Sequence, residues 1–306
     1  MVIREWFLII FTILTQMSVG SFVVLGIVHF FAARKAGAEE ADRLTDRVLI
    51  AITPVLVLGI LASLGHLGNP INAPRTVANF GSSWLSREIF FSMLFAGFVL
   101  VFAFLQWRKI GSASMRNAFA LVGALVGLVL VFVMTQVYML RTIPVWNNLG
   151  SPVAFYTTTF LLGSLAVGAA LVANYAFLLR KDPGCEEVQC TLLRGVLYRV
   201  ALTVVALLGV ELISLPLQLA YLASGPAAAV NGVGLIQANF SILLGLRLLF
   251  VFLGAGILGV MIFRYASAPG KEKLLGNLVY AAFALVLVAE VMGRYIFYAS
   301  HVRVGI

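Results

Sequence analysis

The segment Arg87-Glu-Ile-Phe-Phe-Ser-Met-Leu-Phe-Ala-Gly-Phe-Val-Leu-Val-Phe-Ala-Phe-Leu-Gln-Trp107 decides the class of this protein. After Glu88 it carries no charged residue before Arg108. A helix that crosses the hydrocarbon core of a bilayer needs about 20 mostly apolar residues, and this run supplies them. Seven further stretches do the same, at 6–32, 46–66, 115–139, 153–178, 196–222, 238–263 and 276–298. The expected fold is an all-α integral membrane protein of eight transmembrane helices, forming a single transmembrane domain over 1–306. Composition points the same way: 62% of residues are hydrophobic and 11% charged, against about 45–50% and about 25% in soluble domains. Lipid must solvate much of this surface. The first apolar run is too long for a signal-peptide core and lacks a small-residue cleavage site, so it counts as a span.

The formal net charge is +9. No basic stretch is interleaved with stacking aromatics, so nucleic acid is excluded as a partner and the balance reads as the positive-inside bias of membrane proteins. Thirteen Lys and Arg fall in one set of loops: Arg34, Lys35, Arg43 and Arg47, then Arg108, Lys109 and Arg116, then Arg180, Lys181 and Arg194, then Arg264, Lys271 and Lys273. The other set, which includes both termini, holds five: Arg4, Arg75, Arg87, Arg141 and Arg303. The first set is therefore expected in the cytoplasm. Both termini then lie on the outer, periplasmic side of the cytoplasmic (inner) membrane, which the protein crosses in multiple passes. Cys185 and Cys190 share one short inner loop, and two thiols cannot supply the four thiolates of an ordinary iron–sulfur cluster.

The segment before Glu88 differs in kind. Leu64-Gly-His-Leu-Gly-Asn-Pro-Ile-Asn-Ala-Pro-Arg-Thr-Val-Ala-Asn-Phe-Gly-Ser-Ser-Trp-Leu-Ser-Arg-Glu88 packs a His, two prolines, three asparagines and two arginines between apolar runs. Two other outer segments are also polar or broken: Arg141–Pro152, and the Gly/Ala/Asn-rich run from Ser224 to Asn239, where such density argues against continued helix. The inner loops are short charged connectors.

Ionisable residues within spans are rare and mark function or pairing. Glu211 and Arg247 fall at similar depth on spans six and seven, and the plain reading is a structural ion pair. Glu290 and Arg294 are four apart, on one face of span eight. Gln16, Gln136, Tyr138 and Gln218 lie in the outer halves of their spans, and Glu88 begins span three from outside. The asymmetry suggests a polar pocket opening outward. Of three histidines, His29 is near an inner end, while His66 and His301 are at outer ends. No facing pair sits inside the bundle to ligate a b-type haem, and no metal site is expected. A Walker sequence, a Rossmann fingerprint and a His-Glu-x-x-His pattern are absent.

The residues also carry a resemblance. His66-Leu-Gly-Asn-Pro70 followed by Ser86-Arg-Glu-Ile89, and Glu290-Val-Met-Gly-Arg294 followed by Phe297-Tyr298, His301 and Val304-Gly305, resemble the membrane anchor subunit of dimethyl sulfoxide reductase, the DmsC-type family. Weaker matches are Thr15-Gln16 with Gly20, and Pro144-Val-Trp146 after Val137-Tyr138. The likeness runs over nearly the full length. It implies the third subunit of a three-part enzyme that supports anaerobic respiration with dimethyl sulfoxide or a related acceptor. The anchor holds no haem; it oxidises menaquinol and passes electrons to a four-cluster iron–sulfur subunit and on to a molybdopterin catalytic subunit, both on the periplasmic face.

The resemblance places His66 and Glu88 at positions implicated in quinol handling. Arg75 departs from the family's arginine and receives no quinol role. A His near its ordinary pKa can take a quinol proton and a nearby carboxylate can relay it, so His66 and Glu88 are the expected catalytic pair. Gln16, Tyr138, Glu290 and Arg294 complete the quinol-binding set. Arg75, Asn79, Trp146 and His301 are expected to meet the partner subunits. The rival reading is a secondary transporter with Glu211, Arg247 and Glu290 along its path. Its mark would be Gly/Pro breaks at matching places in both halves, and Pro54 and Pro216 do not correspond. A purely structural anchor would leave the outward polar asymmetry unexplained.

Overall fold

Inside a bilayer no water is available to the backbone, so an apolar run satisfies its peptide groups only by coiling into a helix or closing a barrel. The computed structural model describes residues 3–66, 77–181, 186–268 and 270–304, with side chains for 5–65, 78–180, 187–268 and 270–304. All regular structure among the described residues is helical. The helices are α1 (Ile3–Ala36), α2 (Ala38–His66), α3 (Trp84–Arg108), α4 (Ala113–Tyr138), α5 (Gly150–Lys181), α6 (Glu186–Ala223), α7 (Ala227–Asn239), α8 (Ser241–Ala266) and α9 (Glu272–Ala299). Eight are long and apolar enough to span a membrane, and α7 is the short one.

The expected spans fall on these eight helices, with shifted ends. The α6 helix begins at Glu186, ten residues before the apolar run, because its first turns are held by polar bonds. Gln189 Nε2 donates to the Glu40 carbonyl at 3.0 Å, and Arg194 Nε to the Ala266 carbonyl at 3.0 Å. Cys190 thus sits on a helix, its thiol 3.5 Å from Glu272 Oε1; Cys185 lies outside the described residues.

The run from Ser224 to Asn239, read as broken loop, is mostly helix. Pro226 stands at the N-cap of α7, where its missing N–H costs nothing. Ala227, Ala228 and Ala229 follow as strong helix formers, and Gly232 is tolerated because α7 packs there against Val145. Pro54 and Pro216 lie within α2 and α6. Within α8 the residues Phe252–Leu258 form a π-helical segment, which shifts the register of everything after Val251.

Centre and periphery separate by burial. Over their most apolar stretches α1 is 72% buried and α5 67%, whereas α3 is 22% buried and α2, α6 and α8 each 28%. The outer helices therefore show most of their surface to lipid, and α1 and α5 form the axis. They cross closely at Gly20 and Gly163, where a Cβ on Gly20 would collide with the Thr159 carbonyl; small residues are what allow such an approach. The α9 helix packs beside this axis, against α8, α5 and α1. Both termini are at one end of the bundle: Trp6 of α1 meets Tyr295 of α9 with ring centroids 5.8 Å apart, and the Val304 N–H donates to the Thr142 carbonyl at 2.9 Å.

Candidate functional site

Three helices bring four charges together at mid-bundle. Arg247 of α8 donates from Nη2 to Glu211 Oε1 of α6, and the same nitrogen lies 3.8 Å from Glu290 Oε1 of α9. Sequence depth alone suggested the first contact; the second makes a triad of one cation between two carboxylates. Thr158 of α5 holds the far oxygen of Glu290, donating from Oγ1 to Oε2 at 2.5 Å. One turn along α9, Arg294 donates from Nη2 to Gln16 Oε1 at 2.8 Å, with its guanidinium 3.8 Å from the centroid of the Phe155 ring. A cation over a ring face in a dry interior gains from the ring's quadrupole.

Gly293 completes the motif physically. A Cβ there would overlap the Arg247 guanidinium, so the Gly of Glu290-Val-Met-Gly-Arg294 leaves room for the cation of another helix.

The cluster borders a cavity of about 110 Å³ whose walls include Glu211, Gln218, Arg247, Glu290 and Arg294. Glu211 Oε2, Glu290 Oε1 and Arg247 Nε are buried without a hydrogen-bond partner, and so is Gln16 Nε2 beside Arg294. Unpartnered buried polar atoms are costly, so this set is poised to take a polar ligand.

A second polar set adjoins the first toward the termini. The Tyr298 hydroxyl lies 3.0 Å from that of Tyr138 and 3.5 Å from Thr12 Oγ1. Tyr138 ends α4 inside a ring of aromatics, with Trp146, Phe155, Phe297 and Tyr298 at centroid distances of 5.4–5.7 Å. Glu88 lies one turn into α3, a helix opened by Ser83, whose Oγ accepts the Ser86 N–H at 3.3 Å. Its side chain is buried, with Oε1 unpartnered and within electrostatic reach of Tyr138 and Tyr298. Ser92, one turn further on, also has an unpartnered hydroxyl.

The side chain of His66 and the whole of Arg75 lie outside the described residues. The backbone of His66 closes α2 at the end that holds the termini, since the neighbouring Gly65 lies against the Phe7 ring of α1. Of the expected docking residues, Asn79 is exposed at the close of a 3₁₀ turn, Val77–Asn79. His301 is half-buried, its Nδ1 2.7 Å from the Tyr298 carbonyl. Trp146, also expected there, turns its indole inward, where it stacks on Phe297 at 5.4 Å and donates from Nε1 to the Phe297 carbonyl at 2.7 Å. Val304 and Thr142 tie the same loop to the C-terminal tail.

Sequence reasoning missed Thr158, the steric role of Gly293, and a polar tie at the opposite end. Asp42 and Asp46, one turn apart on α2, both accept Lys109 Nζ at 2.7 Å. Gln106 Nε2 donates to them at 2.8 and 2.9 Å, and Arg116 Nε donates to Gln106 Oε1 at 2.8 Å. His29 Nδ1 joins from α1, 3.1 Å from Thr45 Oγ1. The i,i+4 spacing of the two aspartates was the available signal. Among the described residues no cluster of His, Cys, Asp and Glu has metal-site geometry.

Eight long apolar helices, with charged side chains buried between α5, α6, α8 and α9, define a multi-pass membrane protein built around an intramembrane polar site. Residues 1–300 match the family described as DMSO reductase anchor subunit (DmsC), and the protein belongs to that family. It is 30% identical over 301 residues to the C chain of anaerobic dimethyl sulfoxide reductase from Haemophilus influenzae, covering 97% of this sequence and 95% of that one. The C chain of the Escherichia coli enzyme is 26% identical over 303 residues, covering 99% and 96%. The Escherichia coli YnfH protein, also named as an anaerobic dimethyl sulfoxide reductase chain, is 28% identical over 308 residues with the same coverage.

Proposed function

We propose that this protein anchors a three-part molybdopterin reductase in the cytoplasmic membrane and oxidises menaquinol there. Its electrons go to a four-cluster iron–sulfur subunit and then to a molybdopterin subunit that reduces dimethyl sulfoxide or a related acceptor. The observation that carries this reading is a buried carboxylate, Glu88, with an unpartnered oxygen, within electrostatic reach of the Tyr138–Tyr298 pair at the terminal end of the bundle. An acceptor kept out of water and without a donor suits a ligand that brings its own O–H. Family membership and the naming of the relatives supply the reductase context.

Quinol oxidation releases two electrons and two protons. His66 takes the first proton, in line with its place in the family motif, and Glu88 takes the second or relays it. Gln16, Tyr138, Glu290 and Arg294 shape and polarise the wall. The redox change belongs to the quinol and to the partner's clusters; the anchor supplies the slot and the proton acceptors. The basic bias of the other loops supports an outer position for this end, facing the partner subunits, so that the protons leave on the outer side.

One observation favours a second location for the same reaction. The cavity beside Glu290 is ringed by unpartnered polar atoms, and Glu290 Oε1 could receive the proton in place of Glu88. Membranes with equal amounts of complex separate the two. The measurement is the ratio of menaquinol-analogue-dependent to dye-dependent reductase activity. Loss of a positioned general base costs about 10²–10⁴-fold. His66→Ala should lower the ratio on that scale, and Glu88→Gln should lower it less, while dye-dependent activity stays. An unchanged ratio in both, with a fall in Glu290→Gln, moves the site to the cavity. An unchanged ratio in all three leaves the anchor without quinol chemistry.

A further inference from the structure

A larger cavity lies elsewhere, on the half of the bundle remote from the termini. It is a cleft of about 510 Å³ between α1, α5 and α6. Its walls are apolar for most of their length, and its rim carries three exposed cations, Arg34 and Lys35 from the end of α1 and Arg199 from α6. Among the described residues no carboxylate lies within ion-pair distance of any of the three. Arg34 instead lies over the Phe30 ring at 4.4 Å, and Arg199 over Phe31 at 5.6 Å. At the same end Lys109 has two aspartates and Arg43 has Glu40, so this half of the protein does supply counter-ions where they are needed.

The lining of α6 explains why the cleft stays open. Thr191, Gly195, Arg199 and Thr203 recur every fourth residue and line it, which places them on one helix face. A Cβ on Gly195 would meet nothing within 4 Å. At the inner wall the Ser164 hydroxyl of α5 is buried and unpartnered.

We propose that this cleft is a binding site for an anionic phospholipid of the leaflet on that side. One acyl tail lies in the apolar cleft and the phosphate rests on Arg34, Lys35 and Arg199. Complementarity holds on both counts: the walls suit hydrocarbon, the three rim cations have no carboxylate partner among the described residues, and their position at the end of the spans is that of a lipid headgroup. Basic residues at the membrane surface attract anionic lipid in this way. The site is separate from the proposed quinol site and involves none of its residues.

The test is lipid retention by the purified full-length protein, read by native mass spectrometry after exchange into detergent. The probes are dioleoyl phosphatidylglycerol and dioleoyl phosphatidylcholine, which share their tails. One phosphatidylglycerol should stay bound where phosphatidylcholine is lost. Each cation neutralised, in Arg34→Gln, Lys35→Gln or Arg199→Gln, should lower its retention about fivefold. Gly195→Leu places its side chain at a position where a Cβ meets nothing within 4 Å and should expel the lipid with the charges intact. The control triple Arg264→Gln/Lys271→Gln/Lys273→Gln, at the junction of α8 and α9 on the same side, should change nothing. Equal retention of both lipids overturns the proposal, as does equal loss in the control triple or full retention in Gly195→Leu. Displacement of the lipid by an isoprenoid naphthoquinone, with loss of that binding in Ser164→Ala, would instead make the cleft a quinone site. None of these readings depends on turnover, so the quinol assignment stands or falls separately.

Discussion

Arg247 faces two carboxylates, and that imbalance sets what each substitution should do. Removing one partner of a buried pair strands the other and costs about 3–5 kcal/mol. Glu211→Gln leaves Arg247 with Glu290 at 3.8 Å, so the cation keeps a partner and the loss should be mild. Arg247→Met strands both carboxylates and should be the more damaging change. The amount of protein in the membrane, by quantitative immunoblot, should fall clearly further in Arg247→Met, and the double apolar change Glu211→Leu/Arg247→Leu should recover part of the loss. Equal abundance in all variants would show that the triad does not hold the helices. Gly293→Val pushes a side chain into the space of the guanidinium and should resemble Arg247→Met. Counting residues from the span ends brought Glu211 and Arg247 together. Thr158 could not be found that way, because a threonine in an apolar helix ordinarily bonds its own backbone, as its neighbour Thr159 does to the Phe155 carbonyl at 2.8 Å.

At the scale of elements, the crossing of α1 and α5 is the joint on which the other helices are hung. Gly20 and Gly163 meet there with backbone against backbone. Gly20→Leu must drive the helices apart, and overpacking of this kind costs about 1–3 kcal/mol, sometimes more. The thermal midpoint of the purified protein should drop. The same substitution at Gly97 or Gly209, where a Cβ meets nothing, should leave it nearly unchanged. Leu is also the better helix former, so a drop shared by all three would show that the close contact at Gly20 is not its cause. Sequence located these helices well because hydropathy follows from lipid exposure. It failed at α7, where glycine and proline read as breakers although Pro226 sits before the first turn and Gly232 is a contact point. It also passed over the π segment of α8, since the extra residue per turn leaves no mark in composition.

For the whole molecule, an even number of spans puts both termini on one side, and the contacts of Trp6 with Tyr295 and of Val304 with Thr142 show them together. Which side that is rests on the basic bias, thirteen against five. Alkaline phosphatase fused after Ile306 should be active, and a fluorophore that matures only in the cytoplasm should be dark. The opposite pattern would turn the molecule over and put the Glu88 end in the cytoplasm.

The sequence by itself determined the eight spans, the even topology and the depth of Glu211, Arg247, Glu290 and Arg294 along their helices. These follow from one-dimensional quantities: run length against bilayer thickness, charge per loop, and depth along a helix. The DmsC-type resemblance was legible too, in the motifs at His66, Glu88, Glu290 and Arg294, and the family match covers residues 1–300. Only the tertiary structure decided which helices stand at the axis and that Arg247 serves two carboxylates. Tertiary packing also turned Trp146 inward onto Phe297 and left a cleft at Gly195 rimmed by Arg34, Lys35 and Arg199. Each of these depends on how helices are rotated about their own axes. Apolar residues cover a transmembrane helix nearly all round, so its pattern carries little information about rotation, and only packing against neighbours sets it.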